Sequence, residues 1–250
     1  MHTPRIYVDA DLAPNTTVVI EGGKHHHLRN VLRLKATDAV ILFNGQGGEY
    51  GAEVQTITKQ ATQITTLTHH PVNREAPLHI CLLQGILKRD AMINALQRAT
   101  ELGVSKIIPV QTQHLSEKRV QLAGRWEAWQ AVIEQSSEQC GRTQLPELAP
   151  LTRYTEAVSM VQNADFDLRL LAHLGAPESR TRPATTPQRI AVAIGPEGGF
   201  SDAEVTLAEA NGFRAYTLGS RILRAETAPA ALLAHLQTRF GEFSEAKRQG

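Results

Sequence analysis

Cysteine is scarce in this 250-residue sequence: Cys81 and Cys140 are the two present, far apart and without a CxxC pair. No disulfide framework can be drawn from them, and both read as small buried hydrophobes in a reducing compartment. Long apolar runs are missing as well. None approaches the roughly 18 residues that a membrane-spanning helix needs, and the opening MHTPRIYVDADL has no apolar signal region, so a cytoplasmic protein with no membrane partner is expected. Aromatic residues amount to 5%, which leaves few platforms for stacking bases; a nucleic-acid partner would be held mainly by phosphate and shape contacts. Charge of one sign is lacking too. Lys and Arg number 26 against 25 Asp and Glu, and the net +1 argues against a bulk attraction to phosphate. A local cluster, Arg29, Arg33 and Lys35, is compatible with a basic face that the total conceals. The triplet His25-His26-His27 has no Cys or further His at ligand spacing, and adjacent residues point in different directions, so no metal is expected.

What is present is an ordinary globular composition, 42% hydrophobic and 20% charged, with length enough for one large domain or two modest ones. Residues 1–70 contain short segments rich in β-branched residues, such as TTVVIEG, DAVILFNGQG and TQITTLT, separated by turn signals. They predict a small β-barrel-like domain. One helix, about His26 to Leu34, is expected to interrupt it, with Leu28, Val31 and Leu32 on one face and Arg29 and Arg33 on another. On spacing alone the arginines read as a solvated face. FNGQGGEY fits a hairpin turn in which Gly45, Gly47 and Gly48 supply positive φ. Residues 71–77, with Pro71 and Pro77, form the expected linker.

From Leu78 the pattern becomes α/β, in a second domain over 78–243 that leaves a polar tail at 244–250. HICLLQGIL is a strand, Asp90 a candidate cap for the following helix, Gly103 its end, and KIIPVQT the next strand. Trp126, Trp129, Ile133 and Cys140 mark another helix, whose tryptophans read as core or subunit-interface anchors. A strand near Asp167 to Ala172 and two more at Ile190 to Ile194 and Ala215 to Leu218 bring the total to five, predominantly parallel.

The last two strands run into glycine-rich turns. Gly195-Pro196 stops the first, Gly198 and Gly199 follow, and Ser201 with Glu204 forms a capping box that starts a helix ended by Asn211-Gly212. The second strand runs into Gly219 and SRILRAE, with Thr227 a candidate cap for a helix that carries Pro229 in its first turn. Such loops lie outside the carboxyl ends of strands, where open α/β sheets bind ligands, and two of them side by side suggest a cofactor gripped mostly by backbone. GPEGGFS lacks the Lys-Ser/Thr of a P-loop and does not match GxGxxG.

GPEGGFS followed by LGSRILRAETA resembles the paired C-terminal motifs of the bacterial 16S ribosomal RNA uracil-N3 methyltransferases of the SPOUT superfamily. HHLRNVLRL, ATELGVSKIIPV and EQCGRTQLPEL fall in that family's order, so the likeness covers nearly the whole chain. The resemblance implies an α/β SPOUT methyltransferase domain with a deep trefoil knot, a PUA-like RNA-binding domain ahead of it, a homodimer with active sites at the interface, and 16S rRNA of the small ribosomal subunit as substrate. The implied cofactor is S-adenosyl-L-methionine, leaving S-adenosyl-L-homocysteine as product. The expected cofactor slot comprises Leu171, His173, Gly195, Pro196, Glu197, Gly198, Gly199, Leu218, Gly219, Ile222, Leu223, Arg224, Thr227 and Ala228.

Uracil N3 is mostly protonated at neutral pH, so the site must remove a proton or stabilise the anion. Arg224 is the candidate for stabilising that anion. Glu226 can accept the proton, hold Arg224 or cap the last helix, and Glu197 can face the sulfonium or brace its own loop. Arg142 is a candidate to reach RNA or cofactor across the dimer, and Arg5, Arg29, Arg33 and Lys88 are expected RNA contacts. Two other functions share these residues: methylation of another RNA, such as N1 of a tRNA guanine, and non-catalytic RNA binding in ribosome assembly.

Overall fold

The computed structural model describes residues 3–115, 124–173 and 185–244. The chain divides into two compact units, one of residues 1–75 with 134–145 and one of residues 76–133 with 146–250.

The first unit is a five-stranded sheet in the order β1-β3-β4-β5-β2. Its strands are β1 (Arg5–Tyr7), β2 (Thr17–Glu21), β3 (Ala39–Phe43), β4 (Glu49–Ile57) and β5 (Ala61–His70). All neighbours are antiparallel except β1 and β3. Alternation sends Val40, Leu42, Val54 and Ile64 inward onto Ile6, Ile20 and Leu28. The β3–β4 hairpin turns through Gly45, Gly47 and Gly48 at φ of 79°, 99° and 71°, as their spacing predicts.

The expected helix differs from the one observed. Helix α1 (Gly22–His26) starts four residues earlier than His26 and passes into a π-helical turn, His27–Val31, in which the Leu32 N–H donates to the His27 carbonyl. The wider turn rotates later residues off the core-facing stripe. Leu28 is therefore buried, whereas Val31 is 62% exposed and Leu32 is exposed as well. His25 is also buried, its Nδ1 paired with the Thr62 hydroxyl at 2.8 Å.

The second unit is a parallel sheet ordered β12-β10-β11-β6-β7-β8, with β9 pairing to the far end of β7. Its strands are β6 (His79–Gly85), β7 (Lys106–Gln111), β8 (Glu147–Leu148), β9 (Thr152–Arg153), β10 (Leu168–Ala172), β11 (Arg189–Ile194) and β12 (Arg214–Tyr216). Strands β6 and β11 are central and buried on both faces, which explains their unbroken apolar runs. On one face, Ile80, Leu82 and Val192 pack against α2 (Arg89–Glu101) and α6 (Thr227–Phe240) through Met92, Leu96, Leu232 and Leu236. On the other, Cys81, Leu83 and Ala193 pack against α4 (Tyr154–Gln162) and α5 (Asp202–Ala210) through Tyr154, Val158 and Ala208. Burial pushes the Cys81 thiol up to about 12, so it stays an inert core residue.

The five predicted strands are present; β8 and β9, two residues each, are additional. They also explain how a central strand tolerates Pro109. The Ile107 carbonyl accepts from Ala149 on one side and the Val110 carbonyl from Ile86 on the other, so alternation turns position 109 toward the gap between β8 and β9, where no ladder bond is lost. Helix α3 (Trp126–Cys140) buries Trp129 and Ile133 but leaves Trp126 exposed. Two expected caps move. Lys88 rather than Asp90 is the N-cap of α2, and Glu226 rather than Thr227 is that of α6. Among the described residues no helix is long and apolar enough to cross a membrane.

Candidate functional site

The carboxyl ends of β11, β10 and β12 gather the expected cofactor residues in the second unit. The two glycine turns are not neighbours as expected: β10 lies between their strands, so the turns flank its end at Leu171 and His173. The His173 N–H donates to the Tyr216 carbonyl at 3.1 Å, tying the β10 end to β12.

Gly195 and Pro196 are buried, and Glu197 and Gly198 are exposed. A Cβ on Gly195 would lie 3.2 Å from the Gly199 carbonyl carbon, one on Gly198 would lie 3.2 Å from the His114 side chain, and Gly199 holds φ at 71°. Glycine is therefore what permits this turn. From below, the end of β6 approaches so closely that a Cβ on Gly85 would stand 2.6 Å from the Pro196 nitrogen. Ser201 and Glu204 form the full capping box of α5, and Glu204, itself buried, also accepts from the Gln113 N–H at 2.8 Å.

The second turn is more open. Gly219 takes φ of 107°, and the Thr217 hydroxyl donates to its carbonyl at 3.0 Å. Leu218, Ala225 and Ala228 lean on the core, whereas Ile222 is 78% exposed and Arg221 and Arg224 point to solvent. The Arg224 carbonyl accepts from Thr227 and Ala228, which starts α6, and Arg98 Nη1 donates to the Glu226 carbonyl at 3.4 Å. The geometry fits a nucleoside cofactor gripped mostly by backbone: glycines keep side chains off much of the first turn, and Leu218, Leu223 and Ala228 are half-buried and Ile222 exposed at the second, whereas the Leu171 side chain is wholly buried in the core.

Arg142 and Arg5 belong to the first unit. Arg142 is buried, and its Nε donates to Glu75 at 2.9 Å. Arg5, 6% exposed at its side chain, pairs with Glu49 at 2.9 Å and donates to the carbonyls of Gly141 and Arg142. The Arg74 hydrogen bond, followed by the charge of Arg5, holds the Glu49 carboxyl below the usual range, and burial lowers Arg5 itself. Both arginines, read from sequence as RNA or cofactor contacts, are thus engaged in a buried polar network. Arg29 and Arg33 are exposed in the first unit and Lys88 in the second. Sequence reasoning missed Gly85, His114 and Arg98. Only Gly85, the glycine at the end of an apolar run, carried a signal.

An RNA methyltransferase domain model matches residues 74–237, and an RNA methyltransferase PUA domain model matches residues 20–67. The chain is 31% identical to ribosomal RNA small subunit methyltransferase E of Buchnera aphidicola subsp. Acyrthosiphon pisum over 96% of this chain and 95% of that one. The chain belongs to this methyltransferase family. A solved family structure from Neisseria gonorrhoeae, described as bound to S-adenosyl methionine, superposes with a TM-score of 0.86 at 33% identity over 97% of this chain and 100% of that one. A methyltransferase from Legionella pneumophila, solved with the cofactor SAM, gives 0.91 at 34% identity over the same shares. Membership agrees with the α/β methyltransferase unit and the separate PUA-like sheet described above.

Proposed function

We infer that the protein methylates N3 of a uridine in the decoding region of 16S ribosomal RNA, acting on the small ribosomal subunit as a cytoplasmic homodimer with S-adenosyl-L-methionine as methyl donor. The observation that carries this reading is the pair of glycine turns flanking the end of β10, in a chain matched over nearly its whole length by small-subunit ribosomal RNA methyltransferases. On this reading residues 1–70 form the RNA-binding domain, 71–77 the linker and 78–243 the methyltransferase domain, its C-terminal segment threaded as a trefoil knot.

When bound, the cofactor supplies an electrophilic methyl group on a sulfonium. The protein's task is then to place the nucleophile and make it reactive. Backbone groups at Gly195–Gly199 and Leu218–Leu223 hold the nucleoside, and the apolar side chains around them exclude water. Arg224, exposed at the open turn, stabilises the uracil anion through a carbonyl oxygen. Glu226 accepts the N3 proton. Its backbone serves as the N-cap of α6, and its side chain makes no cap bond. Arg29, Arg33 and Lys88 meet phosphates, whereas Arg5 and Arg142 are assigned to holding their own network together.

The test is methyl transfer from labelled cofactor to small subunits purified from a strain without this protein, with the product nucleoside identified by mass. Appearance of 3-methyluridine is expected. Transfer to a different base or to tRNA instead would replace the substrate assignment, and cofactor binding with no transfer to any RNA would point to an assembly role.

A further inference from the structure

Helix α2 lacks the usual provision for its first turn. Its N-cap is Lys88, whose side chain offers no acceptor, and Ala91 stands at the third helical position, where a capping box would place Glu or Gln to reach back to the N-cap N–H. That N–H is instead satisfied by Glu197 Oε1 at 3.0 Å, from a loop 109 residues away. Helix α5, by contrast, supplies both halves of its box from Ser201 and Glu204.

Two further contacts hold the same glycine turn. His114 Nδ1 lies 3.2 Å from the Gly198 carbonyl, and Gly85 brings the β6 backbone against Gly195 and Pro196. Glu197 is the member of this set that joins the turn to a helix on the neighbouring strand's crossover.

We propose that Glu197 is a positioning residue, whose carboxylate fastens the glycine turn of the cofactor site to the amino end of α2 and acts by accepting a hydrogen bond, not by facing the sulfonium. The proposal rests on the reading of this site as an S-adenosyl-L-methionine site. Its physical basis is that the carboxylate already compensates the positive end of α2, and a charge-assisted bond of this kind orders a loop that bare glycines leave free.

The experiment compares calorimetric binding of S-adenosyl-L-methionine and of S-adenosyl-L-homocysteine, which lacks the positive sulfur, in the full-length protein. Glu197→Ala is expected to weaken both ligands equally, by about 10-fold, since a hydrogen bond to a charged group is lost. Glu197→Gln keeps an acceptor oxygen and is expected to recover affinity to within about 3-fold, because a neutral bond is roughly half as strong. A loss confined to the sulfonium ligand, a glutamine variant as weak as the alanine one, or no loss at all would each overturn the proposal. Thermal unfolding checks that the variants fold, and the ratio of the two affinities remains decisive for a partly destabilised alanine variant. A wild-type protein that bound neither ligand would overturn the functional reading first.

Discussion

The two glycine turns of the methyltransferase unit each follow a strand of the sheet but are unlike in glycine content, three in GPEGGFS against one in LGSRILRAE, and unlike in support. The turn after β11 is held from three sides: by α2 through Glu197, by the loop after β7 through His114, and by the end of β6 at Gly85. Beyond its own local bonds, the turn after β12 is tied among the described residues by one long bond from Arg98 to the Glu226 carbonyl, and it leaves Arg221, Ile222 and Arg224 exposed. A braced turn presents fixed backbone groups to a small ligand without paying for order at each binding event. An open turn keeps side chains available for a second, larger partner. On the proposed function, the first turn cradles cofactor and the second meets both cofactor and base.

The largest effect expected from this division is at Arg224. Arg224→Ala should lower kcat about 100-fold, the usual cost of removing one donor to a developing anion, while calorimetric cofactor affinity stays near wild type. A fall in affinity as large as that in kcat would erase the distinction between the turns. Next is Gly85→Ala, which forces a methyl group against the Pro196 backbone and should cost about 2 kcal/mol in denaturant unfolding, together with cofactor affinity. Unchanged stability and affinity would show that the first turn does not depend on that close approach. Glu204→Ala removes half of a capping box and the acceptor for Gln113, and should cost about 1 kcal/mol by the same unfolding measurement. The smallest effect is at Arg98. Its single 3.4 Å bond on an exposed side chain is weak, so Arg98→Ala should change KM for cofactor by about 2-fold or less. A loss comparable to that of Glu197→Ala would mean that both turns are braced alike.

Much of the first turn is legible in the sequence, because its signals are local. Gly195-Pro196, the glycine pair and the Ser201–Glu204 box all act within a few residues of one another, and the buried strand Ile190–Ile194 is a continuous apolar run. The acceptor for the Lys88 N–H is not legible there, since nothing near Lys88 in the chain marks a carboxylate 109 positions later. The same holds for Arg5 and Arg142. Arg5 is expected from sequence as an RNA contact and Arg142 as a reach to RNA or cofactor across the dimer, yet Glu49 and Glu75 close over them. The helix near His26 departs from its expected face because a π-helical turn shifts the period, and periodicity assumes an ordinary turn.

By itself the sequence left out β8, β9 and α4 but determined the five expected strands of the second unit and helices α2, α3, α5 and α6 in their order, the two turns where side chains give way to backbone, and the likeness to a methyltransferase family. Those follow from propensity, pattern and short-range hydrogen bonding. Only the tertiary structure decided that β10 lies between β11 and β12, that α2 is capped by Glu197, and which arginines face solvent. These depend on chain segments brought together by burial of a common core, and the free energy of that burial is shared among residues that no local pattern connects.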